Sequence, residues 1–271
     1  MSDYFVFVKN LFYKAGLANV LDHAMYRASW LKNWKRNSDF RKRNKELIIP
    51  PDYFLYETHK LDYKKFFLGG EYNAKEIIEW TGKYFNHSPE RILDWGCGVS
   101  RVTMHMRKYI GTHSKLYACD INEQMIAFNK KNYKDISYSV ISYLPPTGYG
   151  NEYFNLIYGL SVLTHVEANL QEFWIAEMHR ILGMNGILLF TTHGKFFFSK
   201  LLPKERNFLD SNGTFTKPYR KKGHRMMTTY NSSQSLMLLL RKQFEILEFC
   251  DGATDWTKAG GQDLWVVRKR S

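Results

Sequence analysis

Cysteine is scarce in these 271 residues: Cys97, Cys119 and Cys250 form an odd set without paired spacing. That argues against a disulfide framework and against a zinc knuckle. No stretch reaches the ~18 uninterrupted apolar residues of a membrane-spanning helix, because Lys9 and Lys14 break the aromatic N-terminus and the apolar run at residues 235–240 is short. The order of basic patch, apolar core and small-residue cleavage site that marks a secretory signal is also missing, so a soluble, cytoplasmic chain is expected. Neither an internal repeat nor a low-complexity tract is visible. No His, Cys and carboxylate cluster has metal-ligand spacing, so no metal is expected. Acidic residues are in deficit, 26 Asp+Glu against 39 Lys+Arg, for a net charge of +13.

What is present is globular. The 44% hydrophobic and 16% aromatic content excludes wholesale disorder, and the length suits one α/β domain with an added segment. Apolar runs at residues 92–95, 115–119, 138–141, 154–158 and 186–190 read as strands. Residues 124–132 and 170–182 carry helical spacing between them. This alternation predicts a parallel sheet wrapped on both faces.

The flanks differ. Residues 1–50 hold ten Lys/Arg against four Asp/Glu, with Leu17, Val20, Leu21, Ala24, Ala28 and Leu31 on one helical face: a basic amphipathic helix or helix pair. The expected division is a basic helical extension and lead-in over residues 1–70 and a catalytic domain over 71–271. Residues 195–231 interrupt the rhythm with Phe196-Phe197-Phe198 and Lys217-Pro218-Tyr219-Arg220-Lys221-Lys222, and read as an insertion over the functional edge of the sheet.

The strongest local signal is Ile92-Leu93-Asp94-Trp95-Gly96-Cys97-Gly98, a buried strand running into a glycine turn. Such turns expose backbone N–H groups and let a ligand approach closely. The dinucleotide fingerprint needs a third glycine three residues after the second, and Arg101 stands there. Asp94 suits a cationic ligand better than a pyrophosphate.

These residues resemble the class I S-adenosylmethionine-dependent methyltransferases. Asp94, Gly96, Cys97 and Gly98 match the first motif of that family, with Ser100 where a third glycine is common. Asp120, ending the next strand, matches the acid that accepts from both ribose hydroxyls. The resemblance places Ile121 and Met125 beside adenine, Gly159 beside the methionine moiety, and Ser142 where many relatives have an Asp or Asn for the adenine amine. It implies a seven-stranded, mostly parallel Rossmann-like sheet with helices on both faces, and S-adenosylmethionine as cofactor. The stretches at residues 48–53, 66–70, 244–247 and 261–267 look like bacterial methyltransferases of cell-surface polysaccharide and other glycan pathways, which implies O-methylation of a glycan or related hydroxyl.

Each candidate has a plainer reading. Asp94 is also a plausible turn or cap residue; Cys97 reads as a small residue permitting close approach rather than a nucleophile. His165 and His193 are the candidate general bases, although His165 also suits a turn-bridging role. Tyr219, His224, Tyr230 and Asp263 are pocket candidates by location alone. The basic N-terminal helix is either a solvated face packed on the domain or a contact for an anionic membrane surface, with nucleic acid a weaker option. No Asp/Asn-Pro-Pro-aromatic run follows the fourth strand and no Pro-Cys nucleophile exists, which counts against base methylation. RNA ribose methylation and a non-catalytic cofactor-binding adaptor at a membrane remain the alternatives.

Overall fold

The computed structural model describes residues 18–219, 223, 227–255 and 259–270. His224 and the first seventeen residues lie outside the described residues. The chain divides into two compact units, residues 1–70 and 71–271.

In the first unit, α1 (Ala18–Arg43) and α2 (Asp52–His59) are followed by α3 (Tyr63–Thr81), which runs on into the second unit. Helix α2 stops where Lys60 and Leu61 both take left-handed backbone, φ 50° and 59°, a conformation that non-glycine residues adopt at a cost. Buried polar side chains of α1 hold this corner. The Asn33 amide donates to the carbonyls of Lys60 and Leu61 at 3.0 Å each, and Asn37 donates to Leu61 at 2.8 Å. Arg36 pairs with Asp62 at 2.8 Å, and Asp22 accepts from the Tyr56 hydroxyl at 2.9 Å. The face that α1 turns toward α2 is therefore polar. Rings fill the gaps between bonds, with Tyr26 edge-on to Tyr53 and Tyr56 and Phe40 stacked on Phe67.

The second unit is built on a seven-stranded sheet. Its members are β1 (Arg91–Trp95), β2 (Lys115–Asp120), β3 (Ile136–Val140), β4 (Phe154–Gly159), β5 (Leu182–Thr192), β8 (Phe244–Cys250) and β9 (Asp263–Lys269), while β6 (Thr214–Lys217) and β7 (Thr228–Asn231) form a separate hairpin. The order across the large sheet is β3-β2-β1-β4-β5-β9-β8. Strands β1 to β5 pair in parallel, whereas β9 is antiparallel to both β5 and β8. Successive strand residues face opposite sides, and both sides are apolar. Leu93, Trp95, Ile157, Leu188 and Trp265 meet Trp174, Ile175 and Met178 of α6 (Ala168–Ile181) on one side. Ile92, Leu116, Leu156, Ile187 and Val266 meet Ala74 and Ile77 of α3 and Ile126 of α5 (Glu123–Asn132) on the other. Continuous apolar runs in β4 and β5 are what burial on two faces demands.

Several boundaries differ from the sequence reading. Strand β3 starts two residues earlier because Ile136 and Tyr138 are the inward pair. Strand β5 begins at Leu182, straight from the end of α6. The helix after the glycine turn, α4 (Thr103–Met106), is a single turn.

The insertion folds into α7 (Pro203–Asn212) and the antiparallel β6–β7 hairpin, followed by α8 (Ser233–Leu240). Threonines pin it to the loop after β4: Thr229 donates to the Val166 carbonyl at 2.7 Å and Thr216 accepts from the Ala168 N–H at 2.9 Å. Among the described residues no helix is long and apolar enough to cross a membrane.

Candidate active site

Strand order reverses between β1 and β4, the position at which open α/β sheets bind ligands outside the carboxyl ends of their strands. The C-terminal ends of β1, β2, β4 and β5 meet at this edge. Strand β9 runs the other way, so it brings its first residues there instead.

The turn after β1 closes onto β2, with the N–H groups of Gly96 and Cys97 both donating to the Cys119 carbonyl at 2.8 and 3.0 Å. Gly96 has φ 74° and a Cβ there would stand 2.5 Å from Val162 Cγ2. Gly98, at φ 53°, faces open space: the nearest neighbour to a Cβ at this position would be Met125 Sδ, 4.0 Å away. Ser100 takes φ 61°, the backbone shape that glycine adopts readily, and its hydroxyl bonds the Tyr138 hydroxyl at 2.6 Å. Burial pushes the Cys97 thiol well above its ordinary pKa, which removes it as a nucleophile.

Two carboxylates flank the turn. Asp120 is oriented by backbone: one oxygen accepts from Gly98 N–H at 2.9 Å and the other from Asn122 N–H at 2.8 Å. Asp94 is buried and accepts from the Thr103 hydroxyl. Burial raises its pKa to about 7, with Thr103, Tyr158 and Arg101 pulling the other way. The parallel register sets Tyr158 level with Asp94, and the Tyr158 hydroxyl is fully buried with no well-aligned hydrogen bond among the described residues. Arg101, whose charge acts on both, is itself largely desolvated.

On the other side of the edge, three side chains form a closed ring. Ser161 N–H donates to Thr191 Oγ1 at 2.8 Å, Thr191 donates to Gln262 Oε1 at 2.6 Å, and Gln262 Nε2 donates back to Ser161 Oγ. The ring holds Ser161 at φ 67° and ties the loop after β4 to β5 and to the start of β9. His193 lies beyond it. Its ring packs 4.3 Å from Phe197 and 5.7 Å from Tyr230, and its Nδ1 is buried without a partner among the described residues. Burial, aided by His165 and Lys200, lowers its pKa to about 3, so the imidazole is neutral. His165 Nδ1 lies 2.8 Å from the Met227 carbonyl, at the foot of the hairpin. Asp263 is buried against Gly194, where any side chain would collide with its carboxylate, and burial raises its pKa to about 6.

The structure thus gathers Asp94, Gly96, Cys97, Gly98, Asp120 and Met125 around one slot, with Gly159 closed against Trp95 behind it. Ile121 sits under Gly223, beside Tyr143. Ser142 is exposed and its hydroxyl accepts from Leu144 N–H at 3.2 Å, a local turn bond. Tyr230 packs on His193 and Tyr219 is half-buried. Sequence reasoning missed Tyr158, Arg101 and the Ser161, Thr191 and Gln262 ring. Arg101 was visible only as the residue that spoils the dinucleotide fingerprint. Among the described residues no group of three or more His, Cys, Asp or Glu is placed to hold a metal ion.

A family profile described as a methyltransferase domain matches residues 92–186. A search among curated proteins finds no significant match. Among solved structures, a SAM-dependent methyltransferase from Methanosarcina mazei aligns at 17% identity and TM-score 0.54, covering 70% of this chain and 96% of that one. A protein from Pyrococcus horikoshii aligns at 17% and 0.53, covering 82% and 100%. The [4+2]-cyclase SpnF aligns at 14% and 0.52, covering 73% and 81%. These likenesses establish the fold, which is the Rossmann-like methyltransferase fold. Residues 92–186 carry the match to a methyltransferase domain, and S-adenosylmethionine is the cofactor that such a domain takes.

Proposed function

We propose, starting from the methyltransferase domain at residues 92–186, that this protein transfers a methyl group from S-adenosylmethionine to a hydroxyl oxygen of a glycan or related small molecule. The observation that carries the cofactor half is the pairing of two differently prepared carboxylates across one glycine turn. Asp120, fixed by two N–H groups, suits a vicinal diol. Asp94, desolvated beside the buried Tyr158 hydroxyl and the Arg101 guanidinium, suits an amino-acid head group: the ammonium by Asp94, the carboxylate by Arg101 and Tyr158. Gly98 leaves the space that a side chain would fill.

The bound cofactor supplies an activated methyl on a sulfonium, so the protein's share of the chemistry is alignment and control of one proton. His193 is suited to that proton. A neutral imidazole whose buried Nδ1 has no partner among the described residues can accept a hydrogen bond from a hydroxyl brought against it and orient its oxygen. Its low basicity means that it takes the proton only as the oxygen loses electron density to the new bond. His165, engaged with the Met227 carbonyl, acts on the position of the hairpin instead. The oxygen-acceptor reading rests on His193 and on the glycan-type resemblance of the flanking stretches.

The cyclase among the structural neighbours shows why the fold alone does not decide the reaction. Incubating the protein with radiolabelled S-adenosylmethionine and a panel of hydroxyl acceptors tests the reading. Cofactor binding with label transfer to a saccharide oxygen supports it. Binding without transfer to any hydroxyl of the panel, but with transfer to the 2′-hydroxyl of RNA ribose, would replace the acceptor half.

A further inference from the structure

Helix α1 is turned inside out relative to an ordinary surface helix. Its inward face is polar, with Asp22, Asn33 and Asn37 buried and bonded to the α2 side. Tyr26 and Phe40 pack inward, but other apolar residues point outward: Val20 is 60% exposed, Leu31 71% and Trp34 59%. They recur at helical spacing with the exposed Arg27, Lys35 and Lys42, so positions 20, 27, 31, 34, 35 and 42 share one face. Over about 22 residues at about 1.5 Å each, that face is roughly 33 Å long. The helix has two acids. Asp22 is turned inward and Asp39 is half-buried, whereas Arg27, Lys32, Lys35 and Lys42 are exposed, so the exposed charge of the helix is predominantly positive.

We propose that this face binds an anionic bilayer surface, with Val20, Leu31 and Trp34 entering the headgroup boundary and Arg27, Lys35 and Lys42 meeting lipid phosphates. The inference is independent of the methyl-transfer reading. An interfacial helix needs apolar side chains, an aromatic ring suited to the water boundary, and cations beside them. A second copy of the same face is disfavoured, because a two-fold contact would set these cations against one another. A nucleic acid is a poorer fit, since Val20 and Leu31 have no ring to stack on bases and would gain nothing from phosphate contact. The sequence leading into α1 repeats the mixture, with Phe5, Phe7, Phe12 and Tyr13 beside Lys9 and Lys14.

The test is co-sedimentation of the full chain with vesicles of phosphatidylcholine alone or with about 30% phosphatidylglycerol. The expected result is pelleting with the anionic vesicles, at least about tenfold weaker partition into phosphatidylcholine, and weakening by salt. Arg27→Ala and Lys35→Ala should each lower the partition constant by about fivefold. Leu31→Ala combined with Trp34→Ala should lower it about tenfold or more. These outward side chains leave the α2 contacts untouched, and an unchanged helical circular-dichroism signal and melting temperature serve as the folding control. Equal pelleting with both vesicles, or partition indifferent to all these variants, would overturn the proposal. So would a lipid-free dimer dissociated by the Leu31→Ala and Trp34→Ala pair, or co-purifying RNA released by the same variants.

Discussion

The proposed pairing of Asp94 with the ammonium of the cofactor makes its binding a proton-coupled event. Its folded pKa of about 7 against an ordinary 3.8 comes from burial, and a pairing with the ligand's ammonium requires the ionised form. About one tenth of the free protein carries that form at pH 6 and about half at pH 7, so affinity should rise about fivefold, or about 1 kcal/mol, across that unit. The window closes near pH 7, because an α-amino group with an ordinary pKa of about 8 begins to discharge above it. Calorimetric titration with S-adenosylhomocysteine at pH 6.0, 6.5 and 7.0, repeated in buffers of different ionisation enthalpy, measures both the affinity and the proton released. At pH 7 about half a proton should leave per ligand bound. Asp94→Asn keeps the acceptor for Thr103 but cannot titrate, so it should bind more weakly at pH 7 and lose the slope. The ligand-free protein has the opposite trend. Between about pH 4 and pH 7 the unfolded chain has already shed the Asp94 proton that the fold retains, so this group lowers stability as pH rises and has no further effect above 7. The melting temperature of the wild type should therefore fall relative to Asp94→Asn over that range. Affinity that is flat or stronger at pH 6, or a slope that survives in Asp94→Asn, would refute the ammonium pairing.

Asp120→Ala should cost at least about 2 kcal/mol of cofactor affinity through lost bonds to a charged acceptor, and unchanged affinity in titration would remove it from the ribose site. His193→Ala should lower turnover about a hundredfold or more while leaving cofactor affinity within error. A change of only about threefold would assign the proton elsewhere. Arg101→Met should raise the dissociation constants of S-adenosylmethionine and methionine-bearing analogues but leave adenosine binding nearly unchanged; an equal loss for adenosine would place the guanidinium away from the head group. Turnover should survive chelation, and a loss restored by Mg²⁺ would reveal a metal step.

The slot was legible because its parts are local. Asp94, Gly96 and Gly98 lie within five residues, and positive φ at both glycines is a requirement that sequence displays openly. Asp120 follows from strand spacing. Tyr158 was not legible as a site residue, since only the parallel register sets it level with Asp94. Gln262 reaches Ser161 across 101 residues, and no local pattern encodes such a bond. His193 was visible as a histidine after a strand, yet its low basicity depends on Phe197 and Tyr230 folding over it. Ser142 was read as a substitute for an adenine contact, and the bond its hydroxyl accepts from Leu144 N–H was not visible in the sequence. The periodicity of α1 showed an apolar stripe but not the direction it faces. That was decided by the need of the Lys60 and Leu61 carbonyls for the amides of Asn33 and Asn37.

The contact between Gly96 and Val162 bears on how the acceptor side can be redesigned. The turn after β1 and the loop after β4 share a wall one side chain thick, since a methyl on residue 96 would overlap Val162 Cγ2. Gly159 and Trp95 form a second such wall, with a Cβ at 159 falling 2.8 Å from the indole. Each pair is a single unit of substitution. A variant library aimed at new acceptors can vary His165 without touching either wall. Enlarging residue 162 instead displaces the glycine turn proposed to admit the cofactor, so selectivity and cofactor affinity would drift together in any lineage that explores that position.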